Sequence, residues 1–264
     1  MNRIYLKDEN ETKLMSFGRK EKIRIGVIGI GKCVGASTIA LLLASKLADM
    51  GIGTAYVELG IPNSMRSLTY DKLAMGIRFS KSEFNDFYEN LYKGMSIRRM
   101  KNLSSGINWA LITPKDIKEE INLTAENKLR LIANIFGEIV IVDMSVGEID
   151  LINEMDYIIP VIDPMPSVLL ANEKSLNYIY EKGLREDNVI WVINKFNGGI
   201  IKSQLNSFIK LKKYIKIPCL PCEEIYKMEY SCKILSKSKT INKLTNDEIN
   251  RIILTMGIKN KHNK

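Results

Sequence analysis

The sequence predicts an α/β protein: a parallel sheet flanked by helices on both faces. Short apolar, β-branched runs bounded by Gly or Pro recur along the chain, and stretches with helical spacing lie between them. The runs also lack polar alternation, as strands covered on both sides require. With 264 residues, 45% hydrophobic, the chain can bury such a core and is neither disordered nor fibrous.

In chain order the expected strands are 23–28, 54–59, 109–113, 139–143, 157–162, 189–194 and 215–220. The first helix, 37–50, is rich in Ala and Leu and stops at Gly51, which suits the left-handed position after a helix end. Further helices are expected at 119–135, 167–181 and 247–256, the last with Thr245 to Glu248 as a capping box and Gly257 as its stop. The polar stretch 64–106, with Phe79, Phe84, Phe87, Tyr88 and Tyr92, reads as two helices over one face or edge of the sheet. Trp109 and Trp191 fall inside apolar runs and read as core. Without repeats or a linker, the chain divides into an N-terminal extension (1–21), one domain (22–257) and a basic tail (258–264).

Net charge is +9, unevenly placed. Residues 201–264 hold 14 of the 39 Lys and Arg and 5 of the 30 Asp and Glu, so the first 200 residues carry 25 of each. A basic C-terminal quarter suits nucleic acid, an anionic membrane surface, an acidic partner, or simply solvent. No apolar run approaches the roughly 20 residues of a membrane span, and the first twenty residues lack a signal peptide's apolar centre, so a cytoplasmic location is expected. Cys219 and Cys222 have the spacing of a metal or redox pair, but the single His262 lies in a polar tail, and both cysteines read as small core residues beside a strand.

The functional signal sits after the first strand. Gly29-Ile30-Gly31-Lys32-Cys33-Val34-Gly35-Ala36-Ser37-Thr38 joins a strand directly to a helix, which presents backbone N–H groups and the positive helix end to an anion. Ser37 and Thr38 suit a phosphate loop because a hydroxyl there can coordinate Mg²⁺ bridging nucleotide phosphates.

This loop resembles that of the MinD/ParA branch of P-loop ATPases, whose deviant Walker A motif reads GKGGxGK followed by Ser or Thr. Val34-Gly35-Ala36-Ser37-Thr38 matches its end without a gap. Ile30 falls on the first glycine, Gly31 on the signature lysine, Lys32 and Cys33 on the middle glycines, and Ala36 on the Walker lysine. Over roughly residues 22–235 other segments are similar as well. Asp143-Met144-Ser145-Val146-Gly147 is similar to the family's Asp-x-Pro-x-Gly, in which the Asp acts through water on Mg²⁺ and the Gly marks a switch. Residues 157–166 and 191–195 look like its next strands, with Asn194 at the adenine-contacting position, and 218–224 like its final strand and base loop. The family's Asp-x-Asp pair is met only by Glu58, because Gly60 takes the second place.

The resemblance implies a P-loop fold, ATP or ADP with Mg²⁺ as ligand, and work through protein partners or a homodimer. Gly31, Lys32, Cys33, Val34, Gly35, Ala36, Ser37, Thr38 and Asn194 would bind nucleotide, with Ser37 and Asp143 on the metal. The cation that grips the β and γ phosphates is replaced by the methyl group of Ala36, and the water-positioning carboxylate is missing. The expected role is a non-hydrolysing or weakly hydrolysing positioning or assembly factor, of the kind used in septum placement, plasmid partition or TadZ/CpaE-like pilus assembly.

Three alternatives remain open at this stage. Lys32 could serve an active ATPase; Gly29, Gly31 and Gly35 with Glu58 could form an NAD(P)-binding Rossmann turn; or the loop could hold nothing. The apolar face of 247–256 fits either docking on the sheet or, as in MinD, peripheral membrane binding.

Overall fold

The computed structural model describes residues 22–59, 68–74, 84–183 and 188–259. Its strands are β1 (Ile23–Gly29), β2 (Thr54–Glu58), β3 (Leu103–Ser104), β4 (Ile107–Ala110), β5 (Ile139–Met144), β6 (Tyr157–Ile162), β7 (Val192–Phe196) and β8 (Ile215–Pro218). They form one sheet in the order β3-β4-β2-β5-β1-β6-β7-β8. All neighbours are parallel except the short β3, which runs antiparallel to β4 at one edge.

Helices α1 (Ala36–Asp49) and α10 (Lys239–Thr255) cover one face. The other is covered by α3 (Phe87–Tyr92), α5 (Ala125–Asn134), α6 (Pro166–Ala171), α7 (Glu173–Gly183) and α8 (Lys202–Ile209). Helices α2 (Thr69–Ala74), α4 (Pro114–Lys118) and α9 (Cys222–Tyr230) complete the set. Burial on both faces explains why β1 and β5 read as unbroken apolar runs: Ile25, Val27, Ile141 and Val142 are fully enclosed.

The order separates β1 from β2 by inserting β5. A Rossmann dinucleotide fold keeps its first two strands adjacent, so that the acid ending the second reaches the ribose beside the first turn. Here Glu58 pairs in register with Asp143 instead, and the dinucleotide alternative fails on topology.

Several expected boundaries move for local reasons. The strand expected at 109–113 becomes Ile107–Ala110, because the Ile112 amide donates to the Glu58 carboxylate (3.2 Å) and the Thr113 amide to Asp116 (2.7 Å) rather than to a ladder. Of the helix expected at 119–135 only Ala125–Asn134 forms, as α5 capped by Thr124; α4, capped by Thr113, ends before it, and Glu120 is left-handed between the two (φ 52°). The 167–181 helix breaks at Asn172, whose side-chain amide bonds Val168 O. The last helix begins at Lys239, capped by Ser238; Thr245 lies inside it, bonding Ile241 O, and forms no capping box. The strand expected at 189–194 starts its regular ladder only at Val192, after a single bridge at Val189. In 64–106 the described part contains α2, α3 and β3; Phe79 lies outside the described residues, as do 1–21 and 260–264.

α10 is docked. Ile241, Ile249, Ile252 and Ile253 are buried in the same core as α1 and β8, while Leu254 faces outward. Among the described residues no helix is long and apolar enough to cross a membrane. Truncating Ile252 to Ala is expected to cost about 2–5 kcal/mol of unfolding free energy, measured by urea denaturation.

Candidate phosphate-binding site

Strand β1 ends at Gly29, and the chain turns at once: Ile30 N donates to Val161 O (2.9 Å) and Gly31 N to Gly29 O (2.9 Å). Gly31, Cys33 and Gly35 then take left-handed dihedrals, with φ of 114°, 56° and 90°. Alternating turns of this kind point backbone N–H groups into a concavity that suits an anion. The first α1 hydrogen bond runs from Ile39 N to Gly35 O (3.1 Å). Helix geometry leaves the amides of Ala36, Ser37 and Thr38 without helical acceptors, and Gly35 has no side chain to cap them. An anion at this point meets both those amides and the positive helix end.

The loop is braced by three side chains from far along the chain. Asn194, buried in the middle of β7, donates from Nδ2 to Val34 O (2.9 Å). A Cβ on Gly35 would lie 2.2 Å from that nitrogen, so the position requires glycine for space as well as for its φ. Lys195, itself left-handed (φ 54°), donates from Nζ to Cys33 O (2.8 Å) and to Asp163 Oδ2 (2.7 Å). Asp163 Oδ1 in turn accepts from Met165 N (3.0 Å). Asn172, between α6 and α7, fills the space beside Gly31, where a Cβ would come within 2.6 Å of its Nδ2.

The loop residues expected from the sequence are therefore together. Val34 and Ala36 are buried, Gly31, Gly35, Ser37 and Thr38 half-buried, and Lys32 and Cys33 exposed. The Ala36 methyl packs back toward the strand end, 3.2 Å from where a Gly29 Cβ would stand. The Asn194 amide, expected at a nucleotide base, donates one hydrogen bond to the Val34 carbonyl.

Beside the loop the strand ends assemble a buried acidic pair. Asp143 in β5 is flanked in register by Val27 of β1 and Glu58 of β2. The Tyr56 hydroxyl donates to Asp143 Oδ2 (2.8 Å), and burial, then the Asp143 charge, push the Tyr56 phenol well above its ordinary pKa, so it stays a donor. Glu58 accepts from Thr69 N (3.4 Å) and Ile112 N (3.2 Å), and the Tyr88 hydroxyl donates to its backbone carbonyl. Burial, then the Asp143 charge, raise the Glu58 carboxyl to about 7. Gly60 lies outside the described residues.

The glycine expected as a switch is engaged as well. Gly147 N donates to Ser145 Oγ (3.2 Å), while Ser145 and Glu148 form a capping box and Lys128 approaches Glu148 (3.5 Å). Among the described residues no cluster of three or more His, Cys, Asp or Glu could hold a metal. Mg²⁺ characteristically takes one or two carboxylates and completes its shell with water and substrate phosphate. Asp143 and Ser37 fit that limited role only with phosphate oxygens present.

The cysteines are not core residues: Cys33, Cys219 and Cys222 are all exposed and unbridged. The bracing roles of Asn172, Asp163 and Lys195 have no counterpart in the sequence expectation, and neither do those of Tyr56 and Tyr88. The signal for Lys195 was its place directly after Asn194, within a segment already singled out.

No protein-family model matches the chain, and no curated protein matches it significantly. Solved structures do share its fold. The ParA family ATPase of Chlorobium tepidum aligns at 15% identity and TM-score 0.68, over 89% of this chain and 98% of that one. The septum site-determining protein MinD of Pyrococcus horikoshii, complexed with Mg-ADP, aligns at 14% and 0.68, over 91% and 99%. A putative plasmid partition protein of Borrelia burgdorferi bound to AMPPNP aligns at 16% and 0.64, over 89% and 100%. At these identities the likeness shows the fold, and the chain has the fold of MinD/ParA-type P-loop ATPases.

Two consequences can be measured. Gly35→Ala is expected to destabilise by about 1–3 kcal/mol, and Asn194→Ala in that background to recover part of the loss, as a double-mutant cycle in denaturant would report. Glu58 titrates near 7 in the folded protein against an ordinary 4.5. The stability it confers is complete below pH 4.5 and is lost as pH rises through 7, a fall of about 3 kcal/mol that should flatten in Glu58→Gln.

Proposed function

We propose that this chain is a cytoplasmic MinD/ParA-type P-loop protein whose nucleotide site is degenerate. In this reading it binds ATP or ADP with Mg²⁺ weakly, hydrolyses it slowly or not at all, and acts as a positioning or assembly factor through protein partners. The observation that carries the reading is the buried Ala36 methyl. Charge developing on a transferred phosphoryl group needs a cation at that place, and a methyl group packed against the strand end supplies none.

Other features support it. The family resemblance puts the signature lysine at Gly31, where a φ of 114° and the neighbouring Asn172 leave no room for a side chain. The Gly147 amide is already bonded within its own turn. The loop amides still make an anion seat, so phosphate binding and phosphate transfer come apart: the first needs the backbone, the second needs groups this chain lacks. When bound, Mg²⁺ would neutralise phosphate charge, held by Ser37 and Asp143.

Steady-state phosphate release tests the reading. Wild type should show no turnover above a no-enzyme control, and Ala36→Lys should gain at most a small rate while Glu58 and Ser145 remain. Brisk hydrolysis by the native loop, abolished by Lys32→Ala, would establish the active-ATPase alternative instead. Thermal-shift titration should give a small stabilisation with ATP or ADP and Mg²⁺, and none with NAD(P).

A further inference from the structure

An apolar groove of about 590 Å³ opens beside the bracing pair. Met165, Leu169 and Leu170 of the α6 segment form one wall, and Ile201, Leu205 and Phe208 of the α8 segment the other. The Asp163–Lys195 ion pair lines the end nearest the loop. Three of these apolar side chains stand largely in solvent: Met165 is 57% exposed, Leu170 62% and Ile201 59%. Gln204 and Phe208 carry the groove into a second depression of about 470 Å³, and Ser207 and Phe208 into a third of about 250 Å³. The result is a trough along the outer side of α8, longer than a compact heterocycle needs.

Lysines predominate along α8 and the segment after it, up to Glu223 and Glu224. From residue 194 to 222 the sequence holds six lysines and no Asp or Glu. Lys195 is paired with Asp163, and Lys216 lies over the Phe196 ring (5.1 Å). Lys202, Lys210, Lys212 and Lys213 are exposed. The acids that line the three depressions are Asp163, already paired, and Glu173 at the far end near Lys210.

We infer that this trough docks an acidic amphipathic helix of a partner protein. The inference rests on the partner-directed reading above and names the partner's chemistry. Such a helix lays apolar side chains at i, i+3, i+4 and i+7 into the trough, covering Met165, Leu170 and Ile201. Carboxylates on its flanks meet the lysines of α8 and the segment after it, steering association in a salt-dependent way. Docking there also touches the Asp163–Lys195 pair, so the occupant sits one hydrogen bond from the phosphate loop.

The test is selection of binders to the full chain from a displayed library of amphipathic helices with randomised polar positions. Affinities are then read by fluorescence anisotropy at ~0.05 and ~0.2 M salt. Selected helices should be enriched in Asp and Glu, weaken at higher salt, and lose at least tenfold in affinity against Leu170→Glu and Ile201→Glu. Both variants change exposed residues, and unchanged melting curves would confirm their fold. Lys202→Glu with Lys210→Glu should weaken binding and flatten the salt dependence. Absence of binders, enrichment of neutral or basic helices, or indifference to the groove substitutions would overturn the inference. Displacement of the helix by ADP would do the same by giving the trough to a nucleotide base, as would a concentration-dependent dimer that Leu170→Glu dissolves. Nucleotide thermal shifts on the same samples report the phosphate site separately, so loss of the groove assignment leaves that reading standing.

Discussion

The phosphate loop depends on being held in an unfavourable backbone shape. Three left-handed residues within five positions would not persist in an isolated peptide, and one of them, Cys33, carries a side chain. The shape is over-determined from outside: Asn194 holds the Val34 carbonyl, Lys195 the Cys33 carbonyl, and Asn172 closes the space beside Gly31. These braces come from β7 and from the α6–α7 junction, on the β6–β7 side of β1. The loop's shape is therefore set by the elements beside it rather than by its own sequence alone.

The strand ends beside the loop carry a second constraint, one of charge. Glu58 and Asp143 stand side by side in a parallel ladder, nearly enclosed. Two adjacent buried carboxylates need a cation, a shared proton or strong donors. Here the donors are the Tyr56 hydroxyl and the amides of Thr69 and Ile112, and the Glu58 carboxyl titrates near neutrality.

The fold was legible in the sequence because its main determinant is local: strands buried on both faces must be continuously apolar, and seven of the eight strands left that trace. The eighth, β3, has two residues, too few for any pattern. The boundaries that moved did so where a side chain captured a backbone group, as Asp116 does at Thr113 and Asn172 at Val168, and apolar periodicity is blind to such captures. The loop residues were legible for the same local reason, being contiguous and glycine-marked. Their braces were not, because the contacts between Val34 and Asn194 or between Cys33 and Lys195 span about 160 residues, and a single sequence contains nothing that pairs them.

Lys195 joins the two halves of the functional surface. Its ammonium group is shared between the Cys33 carbonyl of the loop and the Asp163 carboxylate, which also fixes the start of the α6 segment through the Met165 amide. A charge-assisted hydrogen bond of this kind is short and directional, so displacement of Asp163 alters the field and the position of the lysine that grips the loop.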